Sequence, residues 1–230
     1  MQIGFGRIRL ILATVALATA GTAVRAERPM SVDDAGTLTR GDAKLEFGWS
    51  KDDETRGFEG AVGYGPIDNV EVEVSFARAR DGSVSPSASL RALGAAIKWV
   101  PLQAETGLSA GLKYEYGNEH AVGDSSAHVQ SLLGLASWAF AGGPLLHLNV
   151  GREWAREEGS GSAANTWGIG LDLPFTEAFH GTVESYGAEN SSPDRAVGLR
   201  YELRDGLKFS GAIGRGNDRS FANLGVAWEF

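Results

Sequence analysis

The chain has 230 residues, no cysteine, 32 glycines against seven prolines, and 21 basic against 29 acidic side chains, for a net charge of −8. The absence of cysteine excludes disulfides and thiolate metal sites. The acidity argues against nucleic acid as a partner, which needs clustered cations. The glycine excess is odd for a helical protein but fits strand faces that line a crowded interior.

At the N-terminus, Arg7 and Arg9 precede an apolar run, Leu10 to Ala20, which is followed by small residues ending in Val24-Arg25-Ala26. This basic, apolar, small-residue order predicts a secretory signal peptide, residues 1–26, cleaved after Ala26. The apolar run falls far short of the ~20 residues a spanning helix needs, so membrane insertion would have to use strands. Cleavage would remove Arg7, Arg9 and Arg25 and leave 18 basic against 29 acidic residues, a balance of −11. The remaining residues are few enough for one domain.

Residues 27–42 do not alternate; they hold a proline and an acidic turn, and form a segment expected either to enter a lumen as a partial plug or to hang free in the periplasm. The run Arg28-Pro29-Met30-Ser31-Val32-Asp33-Asp34-Ala35-Gly36-Thr37, leading to Leu45-Glu46, resembles the N-terminal signature of the phenol meta-pathway family of outer-membrane proteins. That resemblance implies a transporter-like barrel for small, aromatic or otherwise hydrophobic compounds, and it transfers no catalytic residue.

From Ala43 a period of two begins, the mark of strands with one apolar and one polar face. Leu45, Phe47 and Trp49 oppose Lys44, Glu46 and Gly48; after a polar link at 51–56 come Phe58, Val62 and Tyr64, then a turn at Gly65–Asn69. Val70, Val72, Val74 and Phe76 oppose Glu71, Glu73 and Ser75; a loop at 81–89 leads to Leu93, Ala95, Ile97 and Trp99. Beyond Pro101 follow Leu108, Leu112, Tyr114 and Tyr116, a loop at 117–127, and a strand of ambiguous face, because Leu133 and Leu135 oppose Leu132, Ala136 and Trp138. The second half continues with Leu146, Leu148, Val150 and Trp154, a loop at 155–164, Trp167, Ile169 and Leu171, and a weak strand around Val183. A loop at 187–194, the strand Val197 to Leu203, the turn at 204–206, the strand Leu207 to Ile213, and a link at 214–220 complete the run. The last strand places Leu224, Val226, Trp228 and Phe230 on one face and looks like the terminal recognition strand read by the barrel-assembly machinery.

About twelve strands, joined alternately by short turns and longer polar loops, predict an all-β, transmembrane antiparallel up-and-down β-barrel over residues 43–230, in the outer membrane of a Gram-negative cell. Aromatics are expected in two girdles: Trp49, Phe58, Phe76, Tyr114, Tyr116, Trp154, Trp167, Tyr186 and Phe221 at the extracellular strand ends, and Tyr64, Trp99, Trp138, Tyr201, Phe209 and Trp228 among those at the periplasmic ends, where the C-terminus would lie.

The inward faces carry the function. The expected lumen-lining residues are Lys44, Glu46, Glu71, Glu73, Lys98, Lys113, Glu115, His147, Glu153, Asp172, Glu184, Arg200 and Glu202, among small residues such as Gly48, Gly168, Gly170 and Gly225. This mixture describes either a narrow wet pore favouring cations or neutral solutes or a salt-bridged interior that closes itself. The reading is a porin-like channel for small molecules embedded in the lipid bilayer, with no cofactor, no metal and no catalytic residue. Its alternatives are a non-conducting structural or partner-binding barrel and, further off, a hydrolase built on His147 and Asn149, for which no Gly-x-Ser-x-Gly elbow is present.

Overall fold

The computed structural model describes residues 28–121, 126–157 and 159–230; the expected signal peptide and its cleavage point lie outside them. Among the described residues there are twelve strands and no helix: β1 (Ala43–Lys51), β2 (Thr55–Ile67), β3 (Val70–Asp81), β4 (Ala88–Leu102), β5 (Gly107–Ala121), β6 (Ser126–Ala139), β7 (Leu145–Glu157), β8 (Ser160–Pro174), β9 (Phe179–Ala188), β10 (Asp194–Arg204), β11 (Leu207–Gly216) and β12 (Arg219–Glu229). Each pairs antiparallel with its sequence neighbours, and β1 pairs with β12 from Lys44↔Glu229 to Lys51↔Ala222, closing the barrel. Ala43 and Phe230 add two backbone hydrogen bonds to that seam, at 2.8 and 2.9 Å. Closure leaves no unpaired strand edge, the condition for crossing lipid with strands.

The distribution of polarity is inverted relative to a water-soluble domain. Val74, Leu93, Val150 and Ile213 project outward with 62–67% of their surface exposed, while Lys113 is 1% and Asp172 2% exposed inside. An outer face of this kind requires hydrocarbon around it.

The end of the barrel that carries Ala43, Phe230 and the turns at 68–69 and 205–206 is called here the terminal rim, and the opposite end the distal rim. Two of the tight turns use left-handed backbone at Asn69 (φ 65°) and at Asn217 and Asp218 (φ 49° and 59°), conformations that match the twist of hairpin strands.

Three expectations need correction. The longer polar loops at the distal rim are mostly strand: β5 runs on to Ala121, β6 starts at Ser126, β7 reaches Glu157 and β8 starts at Ser160. Beyond the lipid no outward apolar face is needed, so the alternation fades while the backbone ladder continues. Similarly, β2 extends to Ile67 and β4 to Leu102 through register shifts after Tyr64 and Trp99, leaving turns of two residues after β2 and four after β4 where longer ones were expected. Finally, Tyr186 and Phe221 do not belong to a lipid-facing girdle. Tyr186 packs inside against Met30 and Val32, and Phe221 faces Gly214 on the inner side, beside Arg219. Their position near a strand end suggested a girdle, but their parity along the strand places them in the lumen.

Candidate functional site

Residues 28–38 lie inside the barrel, and the exposed residues 39–42 cross its rim. From Ala43 the chain turns back over the terminal rim, where the Gly41 N–H donates to the Gly65 carbonyl at 2.8 Å, and rises through the lumen to Arg28 beside Gly48 and Gly225. A buried segment without regular structure must find partners for its backbone groups, and here inward side chains supply them. Glu71 accepts from the Leu38 N–H (3.0 Å), Ser137 Oγ from Ala35 (2.7 Å), and one oxygen of Glu184 from both Ser31 (2.7 Å) and Val32 (2.9 Å). Asn149 exchanges two bonds with the backbone of Asp33: Oδ1 accepts its N–H at 2.7 Å and Nδ2 donates to its carbonyl at 2.8 Å.

The electrostatic centre is the Asp33 carboxylate, which accepts from Lys98 Nζ at 2.8 Å and from Lys113 Nζ at 2.5 Å. Lys98 also reaches Asp34 and Lys113 also reaches Glu115, both at 3.0 Å. Burial alone would raise the Asp33 carboxyl, but the ammoniums of Lys113 and Lys98 outweigh it and hold the group well below the usual carboxylate range. Nearer the terminal rim, Lys44 Nζ stands among Glu46, Glu71 and Glu73 at 3.4, 3.3 and 3.7 Å. At its upper end Arg28 pairs with Glu59 at 2.7 Å.

Packing follows the same segment. Met30 and Val32 form a buried cluster with Tyr186, and Ala35 forms another with Val100, Leu133 and Leu135. The face of β6 that the sequence left ambiguous is thereby explained: Leu133 and Leu135 point inward because an apolar residue of the segment rests on them. The inward glycines are seats. A Cβ on Gly168 would lie 2.9 Å from Val32 Cγ2, one on Gly198 2.7 Å from Pro29 Cγ, and one on Gly225 2.5 Å from Arg28 Cδ.

Of the expected lumen residues, Lys44, Glu46, Glu71, Glu73, Lys98, Lys113, His147, Asp172 and Glu184 are buried inside the barrel, with Glu115, Glu153, Arg200 and Glu202 half-buried on the same inner surface. They do not form one bare wall. Lys98, Lys113, Glu71 and Glu184 hold the segment, whereas Asp172 bonds His180 Nδ1 at 2.7 Å and Arg200 at 2.6 Å in a separate cluster. His147 faces Ser137 across β6 and β7, with Nδ1 2.8 Å from the hydroxyl oxygen. Sequence spacing around His147 missed this serine because only strand register joins them. The same oxygen accepts the Ala35 N–H, so this Ser–His contact is an anchor for the segment. The importance of Asp33 and Ser137 was not read from the sequence, and Asn149 figured there only beside His147; the acidic pair Asp33-Asp34 inside a non-alternating stretch was the signal available for the segment.

Above the segment, toward the distal rim, the lumen keeps a cavity of about 50 Å3. Its floor is Ser31 and its walls include Leu90, Ala92, Tyr186, Phe221, Asn223 and Arg219. Arg219 closes one side, reaching Asp194 at 2.9 Å and Asp52 at 3.1 Å.

A family profile described as "Uncharacterised conserved protein UCP029691" matches residues 14–221. No curated protein matches the chain. Among solved structures, the chain is similar to the KdgM porin (TM-score 0.63, 11% identity, 81% of this chain and 99% of that one). It is also similar to the COG4313 outer membrane channel from Pseudomonas putida F1 (TM-score 0.62, 11% identity, 86% of this chain and 98% of that one). The translocator domain of the autotransporter NalP from Neisseria meningitidis follows (TM-score 0.55, 12% identity, 84% and 90%). At these identities the likeness establishes the outer-membrane barrel fold, which hosts more than one function.

Proposed function

The chain belongs to the family of uncharacterised conserved proteins UCP029691, and we propose that it is an outer-membrane channel for small molecules whose lumen is closed, in its resting state, by its own residues 28–42. The observation that carries this reading is the segment's mode of attachment. It is held by side-chain hydrogen bonds and ion pairs to eight strands, β1 to β7 and β9. None of these contacts is a strand pairing, so the segment can leave without opening the barrel wall.

The expected lumen-lining set thus divides into anchors for the segment and the wall it would uncover. Retained acidity inside the barrel favours cations or neutral solutes. The cavity over Ser31, with Leu90, Tyr186 and Phe221 beside Asn223, suits a small solute with an apolar body and a polar edge. That is compatible with the aromatic or hydrophobic compounds implied by the resemblance to the phenol meta-pathway family. Solute passage needs no catalysis, and the Ser137–His147 contact is assigned to holding the segment.

The test is single-channel conductance of the purified full chain in a planar bilayer. Wild type is expected to be mostly closed with rare discrete openings, and weakening the anchors is expected to lengthen them. A folded, inserted barrel that stays silent when the anchors are removed would reject the channel and favour the non-conducting structural barrel.

A further inference from the structure

The outer surface at the distal rim is cationic in a way the lumen does not explain. Directly beyond the apolar outward positions Phe58, Phe76 and Leu93 stand Arg56 on β2, Arg78 and Arg80 on β3, and Arg91 on β4, all exposed, with Lys51 at the end of β1. The register sets them against one another: Lys51↔Arg56, Arg56↔Arg80 and Arg78↔Arg91 are directly opposed pairs on adjacent strands. Like charges so placed repel. The outward positions of these strands beyond the apolar band carry no carboxylate, and among the described residues none of the five cations forms an ion pair. In the β1–β2 turn Asp52 pairs with Arg219 and Asp53 accepts from the Ser220 N–H, while Glu54 is exposed. At the terminal rim the outward positions of β2 and β4 hold rings instead, Tyr64 and Trp99.

We propose that this patch, Lys51, Arg56, Arg78, Arg80 and Arg91, is a binding site for the phosphate headgroups of an anionic lipid in the leaflet surrounding the distal rim. The proposal rests on the bilayer-spanning reading given above. Three physical points carry it. The patch begins one outward position past the apolar band, about 7 Å along the strand, which is the depth of a headgroup. Four of its five cations are guanidiniums, whose planar fork pairs phosphate oxygens bidentately. A polyphosphorylated headgroup bridging opposed arginines also removes the repulsion that the register builds in. The contrast between the rims assigns the anionic leaflet to the distal side and so gives the barrel its orientation.

The experiment reconstitutes the full chain in phosphatidylcholine vesicles, with or without a minor fraction of lipid A, which bears two phosphates. The readout is the temperature at which the folded, heat-modifiable form is lost. Lipid A is expected to raise that midpoint for wild type and for Arg204→Gln, an exposed arginine at the terminal rim. It is expected to do little for Arg56→Gln/Arg78→Gln/Arg80→Gln/Arg91→Gln, and to have an intermediate effect on Arg78→Gln/Arg91→Gln. In phosphatidylcholine alone the quadruple variant should be at least as stable as wild type, because the opposed charges are gone. An undiminished lipid A effect in the quadruple variant overturns the proposal. So does an equal rise produced by inorganic phosphate at matched phosphate concentration, which would make the site one for the free anion. Failure of wild type to insert into phosphatidylcholine vesicles would instead overturn the bilayer-spanning reading, and the lipid site with it.

Discussion

Replacing Asp33 by alanine removes the carboxylate on which Lys98 and Lys113 converge, at 2.8 and 2.5 Å, from a position where it is 3% exposed. Taking one partner from a buried ion pair costs about 3–5 kcal/mol, because the remaining charge is left uncompensated. Here the lower end applies, since Lys98 keeps Asp34 and Lys113 keeps Glu115, each at 3.0 Å. The two Asn149 bonds go to the backbone of residue 33 and survive the substitution. A loss of about 3 kcal/mol from the docked segment alone corresponds to about two orders of magnitude in the ratio of open to closed time. Single-channel recording reads that ratio directly. Asp34→Ala is the internal control: its side chain is 39% exposed and shares one ammonium. A half-exposed pair of that kind contributes about 1 kcal/mol or less, so the ratio should move less than about fivefold. An Asp33→Ala barrel that is heat-modifiable and inserted, yet keeps the wild-type ratio, would refute the assignment of Asp33 as the latch.

Further outcomes follow from the same geometry. Because the folded Asp33 carboxyl titrates below the unfolded one, its contribution is complete above about pH 3.9 and is lost as the pH falls beneath that toward the folded value. Open time due to this latch should therefore be flat from neutral pH down to about 4 and rise below it, in wild type but not in Asp33→Ala. Gly168→Val crowds Val32, which a Cβ would approach to 2.9 Å, and overpacking of about 1–3 kcal/mol should favour the displaced segment while heat modifiability is retained. Charge reversal of Glu71 and Glu73 to lysine sets two new ammoniums against Lys44 and removes the acceptor of the Leu38 N–H, so it should loosen the segment and lower stability as well as alter ion preference. Deleting Phe230 removes both backbone bonds to Ala43 and the Trp228–Phe230 ring contact at 4.7 Å, weakening the seam by about 2 kcal/mol and lowering the yield of folded barrel in the membrane fraction.

The parts of this protein written locally in the chain were legible in it. Alternation at Val70–Phe76 or Leu224–Phe230 is a property of a few consecutive residues, and a closed barrel obliges every strand to show it, so the strand count and the inward set emerged together. Residues at strand ends were harder to read. Polar residues such as those at 117–121 and 160–164 continue the backbone ladder beyond the lipid, where neither face needs to be apolar and the period disappears although the strand does not. Tyr186 shows the reverse: its ring type suggested an interface, and its parity along β9 overruled it.

What the sequence by itself determined is the wall: twelve strands, one face for lipid and one for the lumen, because the sign of each side chain's environment is fixed by its parity along the strand. What only the tertiary structure decided is the content of that wall. Whether residues 28–38 lie inside depends on Asp33 meeting Lys98 and Lys113, Ala35 meeting Ser137 and Leu135, and Arg28 meeting Gly48 and Glu59. The same holds for the opposed arginines of the distal rim. Those meetings join residues 13 to 102 positions apart, across strands whose register no local period records, so they exist only once the barrel has closed.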